Sequence, residues 1–581
     1  MGFLFLLRIV WLMLLTGCAA SISGFKGPPK RLVWEPQAPF SQQKKVEIPE
    51  EVKVLAHYIK GQFSLTQGNL DQALREYEAA ARIDPSDYYL RIRLAVLYLR
   101  KGDLESALKE AEEASRLQPE ELESHQLLAG LYTSMGQDSR GIKEYQEVLR
   151  IDPENQEALL YLGALHLKRK DYKKAVKNLE RLVALNPKSA LGHYYLGRVQ
   201  AETELLLSAE ESYRKALKLH PKSKAVLTDL ALVYELQGKT EEAIQTYREL
   251  LGASPKNEWA RKRLGELYVG QNKLDEALVQ FRRLQSIEAD PSETRAKIGL
   301  IFYEQGDFEK AATEFNLVLA GSPDNDRVRF YLGSTYAEMK DDERAVEELS
   351  RIPEKSEYFV NSRIRLASLY ERRGEIPKAI ESVRAALQKS KNRKELLGLL
   401  ASLYSKAKDY PTAIEILKEI VDLDPTSDQA HFRLGALYDE SKNKDKTIEH
   451  MKKAVELNPK NAAALNYLGY TYAEMGVHLD EAEELILRAL KIEPNDGFYI
   501  DSLGWVYYQR GDYLRAVEQL ERAVGLVIDD PTIIEHLGDA YEKLGRSERA
   551  LKRYREALRR SKEEEQLKRI QGKIQLLESE I

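Results

Sequence analysis

Small and large side chains repeat along this chain with a period much longer than a helical turn. A small residue stands at Ala73, Ala107, Gly141, Ala175, Ala209, Ala243, Ala277, Ala311, Ala345, Ala379, Ala413 and Thr447, each step being 34 residues; Ala482 follows after 35, then Ala516 and Ala550 after 34 each. Twelve residues before most of these lies a second small position, from Gly61, Ala95 and Ala129 to Gly504 and Gly538. Three residues further on come rings such as Tyr98, Tyr132, Tyr234 and Tyr541, and prolines such as Pro85, Pro119, Pro153 and Pro459 close the period. Pairs such as Gly102-Asp103 and Gly511-Asp512 mark turns in the middle of the unit. The pattern predicts fifteen copies of one helix–turn–helix unit.

Each recurring position has a physical reason. Two antiparallel helices approach closely only where a side chain is small, and a larger residue there overpacks by about 1–3 kcal/mol. That accounts for Gly or Ala at the eighth position and Ala at the twentieth. The ring at the eleventh position is expected between repeats, its hydroxyl meeting a partner or water. Asn-Pro and Asp-Pro stop the second helix, and Pro377 and Pro411 fall in a first turn, where a missing N–H costs little. No unit can bury its faces alone, so stability must come from stacking.

The unit resembles the tetratricopeptide repeat, and the resemblance covers residues 54–564. It implies an all-α solenoid, wound as a right-handed superhelix, with a concave groove lined by first-helix residues. By that resemblance the second, fifth, sixth, ninth, twelfth and thirteenth positions face the groove. They hold Tyr161, Tyr195, Trp259 and Arg263 in the first half of the array. Tyr331, Arg365, Arg433, Tyr467, Tyr470, Trp505 and Tyr508 follow in the second. Aromatic and arginine side chains are those that make binding hot spots. Two family subtypes are not matched. Members that clamp chaperone C-termini place Asn at the ninth position, where this chain has Val96, Ala164, Leu232, Leu300 and Ser334. Sugar-transferase arrays carry an Asn ladder at the sixth, where it has Tyr161, Tyr195, Asp229 and Arg263.

The period loosens over 351–394, where Pro353 comes four residues early and Lys391 stands where a proline closes other repeats. A joint between two sub-arrays is expected there. Residues 565–581 are charged, with Ile570, Ile574, Leu577 and Ile581 on one stripe. They read as a solvating cap helix, with a chain-pairing coiled coil as the alternative.

The chain starts differently. Residues 1–17 are almost entirely apolar around Arg8, too short for a comfortable membrane span of about 20 residues and of the length of a secretory signal. Leu15-Thr16-Gly17-Cys18-Ala19 follows and resembles the lipobox of bacterial lipoproteins. That resemblance implies cleavage before Cys18 and lipidation of its thiol. An aspartate after the cysteine tends to retain such proteins in the inner membrane; Ala19 therefore implies the outer membrane, periplasmic face, in a Gram-negative cell. Residues 18–50 carry five prolines, Pro28, Pro29, Pro36, Pro39 and Pro49, and read as a tether.

Composition narrows the chemistry. The 581 residues are 43% hydrophobic and 31% charged, enough apolar material for an ordered core. A net charge of −5 gives no nucleic-acid footprint. The single cysteine leaves no intramolecular disulfide. The nine histidines read as lying in different repeats, without metal-ligand spacing. No HExxH, GxSxG, GxxxxGK[ST] or CxxC occurs. The expectation is a non-enzymatic scaffold needing no cofactor, no metal and no small-molecule substrate. Its partners would be proteins of the bacterial envelope, with the membrane reached through the lipid. The alternative is a polysaccharide-binding component of an export machinery.

Overall fold

The computed structural model describes residues 47–580. Cys18, the signal and most of the tether therefore lie outside the described residues, as does Ile581. Within them the chain forms 31 α-helices and no strand. The helices run in antiparallel pairs, beginning with Glu50–Thr66 and Leu70–Ile83, then Tyr88–Lys101 and Leu104–Leu117. They form two compact units, one ending at Ala289 and one starting at Asp290. Fifteen pairs are present, seven in the first unit and eight in the second, and a closing helix, Glu564–Glu580, follows the last pair. The architecture is an all-α solenoid.

Local chemistry sets each pair. The residue ending the first helix adopts a left-handed conformation at Gly68, Gly102, Gly136, Lys170, Glu204 and Gly238, and this continues at the same 34-residue step to Gly476, then after 35 residues at Gly511. Glycine takes that conformation freely, whereas an L side chain there costs about 1 kcal/mol. The next residue is often an aspartate or asparagine that caps the second helix: Asp103 accepts from the Ser106 amide at 3.0 Å, and Asn69 from the Gln72 amide at 3.0 Å.

Packing then pairs the eighth position with the twenty-fourth. A Cβ added to Gly197 would lie 2.7 Å from the Tyr213 ring, and one on Gly299 would lie 2.6 Å from Phe315. Tyr77, Tyr213, Tyr247 and Tyr554 are fully buried in such sockets. Several eleventh-position tyrosines turn their hydroxyls to the residue twenty positions earlier. Tyr98 donates to Glu78 at 2.8 Å and Tyr132 to Glu112 at 2.6 Å, while Tyr234 accepts from Arg214 at 2.9 Å.

The 351–394 stretch lies inside the second unit. The helix Asp342–Ser350 has only nine residues, because Pro353 disfavours helical backbone just before it. Ile352 is nonetheless buried, and the loop carries Tyr358 onto Phe330, with ring centroids 5.6 Å apart. At the other end of the unit Ile570, Ile574 and Leu577 are buried, and the closing helix packs on Ser547–Arg560. Among the described residues no helix is long and apolar enough to cross a membrane.

Candidate functional site

In the first unit the groove candidates serve mainly the fold. Tyr161 stacks on Tyr145 at 5.3 Å, and burial, with the Glu157 charge, pushes its hydroxyl up to about 12. Tyr195 leans on Tyr194, also at 5.3 Å. Arg263 is tied to Glu235 and to Glu266, the latter at 3.0 Å, and Glu235 also accepts from the Tyr247 hydroxyl. Trp259 meets Tyr247 edge-on at 5.6 Å and keeps 40% of its surface exposed.

The second unit brings its candidates together in three places. Tyr331 sits among Tyr303, Phe315, Phe330 and Tyr358, at 5.5–6.5 Å. A hollow of about 310 Å³ beside it is walled by Arg365, which Glu338 holds. Next comes a cavity of about 1050 Å³ between the helices Arg393–Lys406 and Asp428–Glu440. Phe432, Arg433, Tyr467, Leu399 and Leu437 line it, as do Glu395 and Glu440. Tyr467 donates to Asp439 at 2.9 Å. Among the described residues none forms a hydrogen bond or ion pair with the Arg433 guanidinium.

The third place is a stack of rings. Trp505 is sandwiched between Tyr508 at 4.5 Å and His536 at 4.1 Å, and Tyr470 stands 6.5 Å from His536. His536 Nδ1 donates to the Asp501 carboxylate at 3.0 and 3.1 Å. Both residues are buried.

Sequence models described as tetratricopeptide repeat match residues 64–131, 132–198, 235–298, 302–357 and 370–437, more than half of the chain. Others of the same description match 196–258, 428–461, 450–484 and 502–565. The chain belongs to the tetratricopeptide repeat family. Solved structures similar to it include a tetratricopeptide repeat protein from Parabacteroides merdae ATCC 43184, at 20% identity over 43% of this chain and 99% of that one, TM-score 0.33. MamA from Desulfovibrio magneticus RS-1 matches at 25% identity over 29% of this chain and 96% of that one, TM-score 0.28. YrrB, described as a tetratricopeptide repeat protein with an unusual peptide-binding site, matches at 20% identity over 32% of this chain and 95% of that one, TM-score 0.30. No curated protein matches the chain. The tetratricopeptide fold supports a protein-binding scaffold.

The tetratricopeptide register explains the large cavity. Its wall recedes because Gly398, Ser402 and Ser405 occupy the fifth, ninth and twelfth positions of one repeat. Other repeats put Tyr194, Phe330, Trp505 or Tyr303 at those positions. A cavity read from small residues was the signal missed in a search for large ones.

The histidines need correction. His431 and His450 share one hairpin, Nδ1 to Nδ1 at 3.0 Å, rather than lying in different repeats. They occupy the fourth and twenty-third positions, where His125–Glu144 at 2.7 Å and Arg329–Glu348 at 2.5 Å also pair across a hairpin. Burial and the neighbouring His431 push the His450 pKa down.

His536 shifts the opposite way. Burial disfavours its charged form, but Asp501, Asp539 and Glu535 outweigh burial and hold the pKa above its ordinary value. A raised folded pKa stabilises below the unfolded pKa, near 6.5, and the gain disappears as pH rises through the folded value. Asp501→Asn is expected to lower the His536 pKa and remove this pH dependence. NMR titration of the imidazole checks it; an unchanged pKa would show that Asp501 is not the group holding the charge.

Proposed function

We propose that this tetratricopeptide protein is a non-enzymatic adaptor of the bacterial envelope. Lipid on Cys18 holds it to the periplasmic face of the outer membrane, and the cavity between Arg393–Lys406 and Asp428–Glu440 receives a segment of a partner protein. The partner belongs to an envelope-building system: outer-membrane assembly, pilus or secretin biogenesis, or polysaccharide export. The observation that carries the reading is the cavity itself. Its volume of about 1050 Å³ and its mixture of apolar, aromatic and charged walls suit a peptide. A polysaccharide platform needs open ring faces, and both faces of Trp505 are taken by Tyr508 and His536.

Gly398→Trp tests the cavity. A Cβ at Gly398 meets only Arg433 Nη1, at 3.5 Å, so a side chain can leave the backbone there without a clash and extend into the cavity. The variant is expected to keep its thermal transition while partner capture, read by a photo-crosslinker at Ser402, falls at least about tenfold, or 1.4 kcal/mol. Undiminished capture would place the binding site elsewhere. Cys18→Ser tests the anchor, because a variant that still fractionates with membranes and is processed like the parent would rule out lipidation.

A further inference from the structure

Four repeats place an arginine at the sixth position: Arg93, Arg263, Arg365 and Arg433. Three of them are neutralised within the chain. Arg93 meets Glu123, thirty residues on, at 2.7 Å. Arg263 meets Glu235, twenty-eight residues back, and Arg365 meets Glu338, twenty-seven back. Tyr467, also at a sixth position, follows the same rule and donates to Asp439, twenty-eight back. The register therefore supplies these four groups with a carboxylate from a neighbouring repeat.

Arg433 breaks the rule. Twenty-eight residues back stands Ser405, twenty-seven back Lys406, and thirty on Ala463. The positions that supply a neighbouring repeat's carboxylate to the other three arginines hold neutral or positive residues here. Lys406 is itself taken by Glu371, and Lys394 on the same wall by Asp424. Glu395 and Glu440 line the cavity without reaching the guanidinium. Arg433 instead lies across Gly398, lining the cavity of about 1050 Å³. The same substitution that opens the cavity, a serine at the twelfth position, is the one that removes the acid.

We propose that this site takes an acidic side chain of the partner, a Glu or Asp beside a bulky apolar residue, and that the partner's carboxylate occupies the place that Glu235 holds beside Arg263. The carboxylate forms a charge-assisted pair with Arg433, and the apolar neighbour fills the space left by Gly398, Ser402 and Ser405 against Leu399, Phe432 and Leu437. An arginine without its carboxylate, over an open apolar wall, selects an acid and a hydrophobe together. A peptide lacking the acid leaves the guanidinium desolvated and unpaired.

The proposal rests on the cavity being the binding site, and the test separates the two. The probe is a library of octapeptides, acetylated and amidated so that no terminal carboxylate is present, panned on the full chain. Retained sequences are expected to be enriched in Glu or Asp next to Phe, Leu, Trp or Met. Ser405→Glu restores the missing acid without touching Arg433; it should weaken the retained peptides at least tenfold and leave thermal unfolding unchanged, while Ser405→Gln binds like the parent. Peptides without acids that ignore Ser405→Glu but are blocked by Gly398→Trp would overturn the proposal and leave the cavity reading standing. Retention of no peptide would overturn both.

Discussion

Gly469→Val is expected to destabilise the second unit by about 3 kcal/mol, at the upper end of the cost of overpacking. A Cβ at this position would stand 2.7 Å from Ile486 Cγ1 and 2.9 Å from the carbonyl oxygen of Ala482. The first neighbour could rotate, but the second is helix backbone and cannot move without separating the hairpin. Ile486, Ala482 and Gly469 are all buried, so no solvent-side relaxation is open. Gly130 supplies the contrast. It lies in the helix Leu122–Ser134, nothing stands within 4 Å of its Cβ position, and Gly130→Ala should be neutral or gain about 0.5–1 kcal/mol. Urea unfolding followed by far-ultraviolet dichroism measures both. In a stacked array the loss spreads to neighbouring repeats first, so amide exchange should rise around 462–492 before it rises elsewhere. If the two variants unfold alike, the socket is not what fixes the hairpin spacing.

This contrast shows why the fold was legible in the sequence. Backbone approach permits only the smallest side chains at Gly197, Gly299 or Gly469, so the constraint prints itself as a period of 34. The groove positions printed themselves too, but their chemical state did not. Arg263 and Arg433 stand at the same position and look equivalent in a one-repeat reading. Glu235 makes the first a structural ion pair and Ser405 leaves the second without one, a distinction written 28 residues away. Trp505 was equally visible as a groove ring, whereas His536, which covers one of its faces, lies in the next repeat. Reading the register across repeats, at spacings of 28 and 31, would have recovered these pairs. The 351–394 stretch resisted for another reason. The early Pro353 reads as a joint between sub-arrays, whereas it ends the helix Asp342–Ser350 after nine residues, and the contact of Tyr358 with Phe330 depends on a loop path that no period encodes.

Lys573→Met is expected to release the closing helix. Glu535 is almost wholly buried under that helix, accepting from Arg569 Nε and Nη2 at 2.8 Å each and from Lys573 Nζ at 2.9 Å. Lys573 also donates to Asp539 at 2.6 Å and so screens two buried carboxylates from each other. Removing it leaves Asp539 with the Tyr554 hydroxyl, 2.6 Å away, and Glu535 with Arg569 and the Gln566 amide, the latter at 3.3 Å. Breaking a buried pair costs about 3–5 kcal/mol; Lys573 is partly open to water, so about 2–3 kcal/mol is expected. The same cluster fixes an acid limit. Burial raises the Glu535 carboxyl, but Arg569 and Lys573 outweigh burial and bring it down to about 2 from an ordinary 4.5. A depressed folded pKa contributes stability above the unfolded value, here about 3 kcal/mol, and the gain is lost as pH falls from about 4.5 towards 2. Proteolysis after Lys562 and amide exchange over 564–580 read the docking directly. In the parent, protection should decline through that acid window. In Lys573→Met it should be low already at neutral pH, with a smaller further fall. A closing helix that stays protected in the variant would show that Ile570, Ile574 and Leu577 hold it by burial alone. The ionic cluster would then be a consequence of docking rather than its cause.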